Sequence, residues 1–168
     1  MYSTLTGNRL DPMDGMDWRE YFATTPVDLL LDHAAASRKR LWPAIRKIVR
    51  THSTWDDPLV MEGYALWPEQ VLAAGFTDTG ALWLTGDDLL LESRIRSNPS
   101  FYHGATDEEA LIRNFLRRSS QYNELMLKSA AESSATVIAV ATGQSIKDIA
   151  DLCVSALTRE SARTGRSK

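Results

Sequence analysis

Between Val27 and Val49 apolar residues recur three or four positions apart, as Val27, Leu30, Leu31, Ala34, Leu41, Trp42, Ile45, Ile48 and Val49. That spacing places side chains on one face of an α-helix. It predicts a helix from Pro26, capped by Thr25, to about His52. Pro43 is placed to kink or divide it, because proline lacks the N–H that the helix ladder needs. After Asp57-Pro58 the pattern changes. The short apolar run Leu59 to Met61 predicts a buried strand, and WPEQVLAAG after it a short helix ended by Gly75. A second strand is predicted at Ala81 to Thr85, followed by a helix that Gly86-Asp87 opens and Pro99 stops. NPSFYHGA reads as a turn-rich linker. Thr106 and Glu109 have capping-box spacing, and Leu111, Phe115, Tyr122, Leu125 and Met126 mark one face of a long helix to about Ser133. The β-branched run TVIAVA predicts a third strand. Ser145 then opens a last amphipathic helix with Ile149, Leu152, Cys153 and Ala156. Residues 1–16 read as an irregular arm and 160–168 as a disordered tail.

Strands alternating with helices imply parallel crossovers, so the expected fold class is α/β: a parallel sheet in a three-layer α/β/α arrangement, formed by one domain over residues 1–168. The charge balance, 19 basic against 22 acidic residues for a net charge of −3, gives no global basic field. A nucleic-acid partner is therefore the less favoured expectation, although residues 38–50 carry Arg38, Lys39, Arg40, Arg46, Lys47 and Arg50 with no acid among them. The single cysteine, Cys153, makes no internal disulfide. No apolar run reaches membrane-spanning length, so the expectation is a cytoplasmic protein with no membrane partner and a small-molecule substrate.

Glu62 follows the Leu59 to Met61 run. At the carboxyl end of a buried strand it would face the crevice where ligands bind in open α/β sheets; read more plainly, it caps the next turn. Gly63 would let a substrate approach the backbone. Arg94, Arg96, Arg113, Arg117 and Arg118 flank the 99–106 linker. Planar guanidinium groups bind phosphate bidentately. Arg96 and Arg113 fit a solvated face, whereas Arg118 shares the apolar stripe of Phe115 and Tyr122 and so points to a pocket or a buried pair. Arg38 likewise lies between Ala34 and Leu41 on an inward stripe, where a cation snorkels or meets an anion.

The segments Arg38-Lys-Arg-Leu-Trp-Pro-Ala-Ile, Leu59-Val-Met-Glu-Gly-Tyr-Ala-Leu-Trp-Pro-Glu and Ile112-Arg-Asn-Phe-Leu-Arg-Arg-Ser-Ser-Gln-Tyr-Asn-Glu-Leu-Met resemble bacterial P-loop kinase-like proteins near the shikimate, gluconate and chloramphenicol kinases. The resemblance spans residues 26–158. It implies ATP and Mg²⁺ as cofactors and phosphorylation of a small-molecule hydroxyl. Glu62 would be the catalytic Walker B-like acid, and Arg94, Arg113, Arg117 and Arg118 the phosphate-binding lid. Arg38, Gly63 and Tyr64 would meet the substrate, and Gly143 the nucleotide base. No glycine in the chain is followed by lysine, so the phosphate-cradling Gly-x-x-x-x-Gly-Lys-Ser/Thr loop is missing. The resemblance thus implies a form shortened past its first strand and inactive as a kinase. A central strand would be absent between the Leu59 and Ala81 strands, leaving edges through which two copies pair. The alternatives are a non-catalytic phosphate- or nucleotide-binding or protein-interaction remnant and, more weakly, nucleic-acid association through residues 38–50.

Overall fold

The computed structural model describes residues 15–164 except Asp56. Its elements are α1 (Trp18–Thr24), α2 (Val27–His52), α3 (Pro68–Ala73), β1 (Leu82–Gly86), α4 (Asp88–Arg96), α5 (Pro99–Tyr102), α6 (Glu108–Glu132), β2 (Thr136–Val140) and α7 (Ile146–Thr164). The expected three-layer α/β/α sheet is not what forms. Among the described residues the chain is mostly helical and has one sheet of two parallel strands, β1 beside β2, with Leu82 opposite Thr136 and Gly86 opposite Val140. Two of the three expected strands and their parallel sense are present.

The third is not. Residues 58–62 form no ladder, and Val60 is 92% exposed. An apolar run becomes a strand only where a neighbouring strand takes up its N–H and C=O groups, and among the described residues none does. The expected gap between a Leu59 strand and the Ala81 strand therefore has no first wall.

The core is organised on α6. Leu111 and Ile112 are 0% and 1% exposed. Phe115 packs edge-on against Phe22 of α1 and Phe101 of α5, with ring centroids 5.3 and 4.8 Å apart. Asn114 ties α1 down by donating from Nδ2 to the Phe22 and Thr25 carbonyls at 2.7 and 2.8 Å. These are carbonyls of the last turn of α1 and of its C-cap, groups that otherwise have no helical partner. Farther along, Met126 and Ala130 meet Trp83 of β1, and Trp67, Val71 and Val137 close around them.

Helix α2 runs unbroken through Pro43, with Pro26 rather than Thr25 as its N-cap. α1 follows an Asp17 cap whose carboxylate accepts the Arg19 N–H at 2.7 Å, in a stretch for which the hydrophobic pattern predicted no helix. The linker after Asn98 holds the one-turn helix α5. The capping box expected from Thr106 and Glu109 is replaced by Asp107, which accepts the Ala110 N–H at 2.8 Å, while Glu109 pairs with Arg96. A reciprocal box does open α7: Ser145 Oγ accepts the Asp148 N–H, and Asp148 Oδ2 accepts the Ser145 N–H, each at 3.1 Å. Since α7 extends to Thr164, the first residues of the expected disordered tail are helical. Residues 1–14 of the expected arm and 165–168 of the tail lie outside the described residues.

Candidate functional site

Three elements meet over the middle of α6. Arg38 projects from α2, Arg118 and Tyr122 stand one turn apart on α6, and the segment before α3 supplies Tyr64 and Trp67. That segment is fixed at both ends. Trp83 Nε1 donates to the Leu66 carbonyl at 2.7 Å, and the Tyr122 hydroxyl donates to the Tyr64 carbonyl at 2.5 Å. A turn closes between them, with the Leu66 N–H on the Gly63 carbonyl at 3.1 Å. Gly63 has φ +144°, a conformation that side chains disfavour. At the rim, the Tyr64 and Ser37 hydroxyls are hydrogen-bonded at 2.7 Å.

Within this frame the Arg38 guanidinium lies 3.7 Å from the centre of the Trp67 ring and 5.5 Å from that of Tyr122. Arg118 lies 4.6 Å from the same Tyr122 ring. Trp67 and Tyr122 pack edge to face at 5.4 Å. Two cations thus share one aromatic wall. Neither forms an ion pair among the described residues, and Arg118 Nε is buried with no hydrogen-bond partner.

Burial pushes the Arg118 guanidinium down from its usual range; the nearby phenols of Tyr122, Tyr64 and Tyr21 oppose this, and the neighbouring Arg38 adds to it. Arg118 nevertheless keeps its charge, because a guanidinium does not deprotonate in proteins. Burial pushes the Tyr122 phenol up, and Arg38 and Arg118 hold it back. A half-buried cation beside a second cation is costly without a compensating anion. Cation–π contacts offset part of that cost, at about 0.5–2 kcal/mol each. Chemically, two guanidinium groups over one aromatic wall are suited to an anion with a flat or apolar body.

The structure gathers some of the sequence candidates and separates others. Arg38, Arg118 and Tyr64 come together, with Gly63 shaping the turn beside them. Arg94, Arg113 and Arg117 are exposed. Gly143 occupies the turn after β2 with φ +87°, at the end of a strand. Glu62 is exposed on the segment before α3 and not at a strand end, since the strand expected to carry it does not form. It makes no hydrogen bond or ion pair among the described residues. No cluster of three or more His, Cys, Asp or Glu side chains suited to a metal ion occurs among them either. The one candidate acid, Glu62, thus stands on an open loop away from the two guanidinium groups' shared aromatic wall.

Sequence reading overlooked Trp67 and the ring faces of Tyr122. The signal was present in Arg118 and Tyr122 themselves, a cation and an aromatic at i and i+4 on an inward stripe. Each of the three histidines has a hydrogen-bond partner: His33 Nδ1 bonds the Tyr21 hydroxyl at 2.8 Å, His52 the Asp57 carbonyl at 2.8 Å and His103 the Glu108 carboxylate at 3.0 Å. Cys153 is a half-buried free thiol on α7. No protein-family model, curated protein or solved structure matches the chain. No described helix is long and apolar enough to cross a membrane.

Proposed function

We propose that the protein binds a compact anion bearing a phosphate or carboxylate group at the Arg38–Arg118 pair and does no chemistry on it. The observation that carries this reading is Arg118, a half-buried guanidinium with no acid to meet it among the described residues, next to the Arg38 guanidinium, which likewise has no ion pair there. Planar forks of this kind match carboxylate and phosphate oxygens bidentately. Trp67, Tyr64 and Tyr122 supply the wall for the rest of the ligand. The rival is ATP-dependent phosphorylation of a small-molecule hydroxyl, as the sequence resemblance implies. Phosphoryl transfer rests on positioning the phosphates, and this chain lacks the glycine and lysine loop that would hold them.

Thermal unfolding with inorganic phosphate, ATP or a dicarboxylate tests the proposal. A ligand that binds the native state stabilises it by about 2.7 kcal/mol at a hundredfold excess over Kd. At least one of the three ligands is expected to raise the midpoint of the wild type. The gain should vanish in Arg118→Met and Arg38→Met. The ligand-free Arg118→Met protein should be as stable as the wild type or more so, because an unpaired half-buried charge is gone. No shift with any ligand, or a shift that survives both substitutions, overturns the reading. ATP turnover at about 1 s⁻¹ or faster, a kinase rate, would replace it with the rival.

A further inference from the structure

Helix α2 has a second charged face. At 100° per residue, Arg38 falls in the inward stripe with Val27, Ala34 and Ile45, whereas Arg40 and Lys47 lie opposite it and Lys39, Arg46 and Arg50 on the flank that joins the two faces. No acid occurs between Asp32 and Asp56, in a chain whose net charge is −3. This stretch of α2 is thus locally basic, and Pro43, Arg46, Lys47, Arg50, Thr51 and Thr54 line an open groove along it.

An exposed aromatic ring borders the groove at one end. Beyond its last turn stands Trp55, 59% exposed and packed on His52 at 4.9 Å. Beside Arg46 a hollow of about 300 Å³ opens between α2 and α3, lined by Trp42, Arg46, Glu69, Gln70, Ala73 and Ala74. It holds a donor and an acceptor without partners, Arg46 Nε and Gln70 Oε1.

From this juxtaposition we propose that α2 and the turn after it bind a single-stranded nucleic acid, with backbone phosphates on Lys39, Arg40, Arg46, Lys47 and Arg50 and a base stacked on Trp55. A cationic track beside an accessible aromatic ring is the combination that holds unpaired strands, since each base offers a π-face whatever the sequence. A duplex would use the cations and leave the indole idle. An anionic membrane is the poorer match, because a basic helix lies on a bilayer by its apolar face and that face of α2 is turned inward, with Leu30 and Ala34 buried. An acidic peptide would satisfy the cations and leave the ring without a stacking partner. The site is separate from the Arg38–Arg118 pair and does not depend on it.

The test is fluorescence anisotropy of a labelled oligothymidylate of about 12 nucleotides titrated with the full chain. A duplex of equal length, phosphatidylserine vesicles and oligoglutamate serve as competitors. For three to five phosphates neutralised, log K against log salt should fall with a slope between about −2 and −3.5. Lys47→Gln with Arg50→Gln should make the slope shallower by about 1.4. Trp55→Ala should weaken binding about 5- to 150-fold with the slope unchanged. Lys147→Gln on α7 should change neither. Trp55, Lys47 and Arg50 are exposed, so circular dichroism of each variant should match the wild type. Absence of binding near 50 mM salt, binding indifferent to Trp55 and the paired cations, or preference for the duplex, the vesicles or the peptide would overturn the proposal.

Discussion

The helical unit of α1, α2, α5 and α6 and the sheet unit of β1, β2 and α7 are built to different standards of closure. Around α6, Leu111 and Ile112 lose essentially all contact with water, and the aromatic rings of Trp18, Phe22, Phe101 and Phe115 interlock edge to face or tilted. On the sheet, Leu84 remains 49% exposed and Val154 of α7 63%. A helix satisfies its interior backbone groups internally, so its packing has only side chains to arrange. Strands satisfy theirs only through neighbours, and among the described residues β1 and β2 have only each other. Isolated two-stranded sheets are marginal in water. Here the pair survives because Trp83 anchors it to Met126 and Ala130 of α6.

The widest separation between the two units should appear on truncating their apolar side chains. Leu111→Ala is expected to lower stability by about 2–5 kcal/mol, through lost burial and the cavity left behind. Val154→Ala should stay within about 0.5 kcal/mol of wild type. Urea denaturation of both variants measures the contrast, and equal losses would mean that α7 is as closely packed as α6. A smaller effect is expected at the joint of the helical unit. Asn114→Ala leaves the Phe22 and Thr25 carbonyls without their side-chain donor, at about 1–3 kcal/mol. Hydrogen exchange should show the resulting loosening in α1 and not in the β1–β2 ladder.

The smallest expected effect is an acid response. The Thr106 N–H donates to Glu20 Oε1 at 2.9 Å, and this holds the Glu20 carboxyl below its usual range. A depressed carboxyl binds fewer protons folded than unfolded, so stability rises with pH across the window between its two pKa values. The contribution is fully present above the unfolded value of about 4.3 and is lost as pH falls through the folded one. Glu109, held down by Arg96, acts in the same direction, as does Asp148, held down by Ser145. Glu20→Gln should flatten the acid limb of a stability profile and leave the neutral plateau little changed. An identical acid limb would mean that the bond carries no linkage.

The sequence alone determined the long amphipathic helices, the two strands that pair and the inward positions of Arg38 and Arg118, because each is a local matter of periodicity. A charged residue on an apolar stripe is inward wherever the helix goes. It also determined the acid-free stretch that becomes the basic face of α2. Whether Leu59 to Met61 would be a strand was decided by tertiary structure, since an apolar run reads the same with or without a neighbour and the ladder belongs to the pair. The site's aromatic wall was decided the same way: Trp67 and Arg38 are far apart in the chain, and only the packing of the segment before α3 between α2 and α6 sets the ring 3.7 Å from the guanidinium. Glu62 shows the converse. Its expected role depended entirely on a strand end that the fold does not build, and without that scaffold the same carboxylate is an exposed loop side chain.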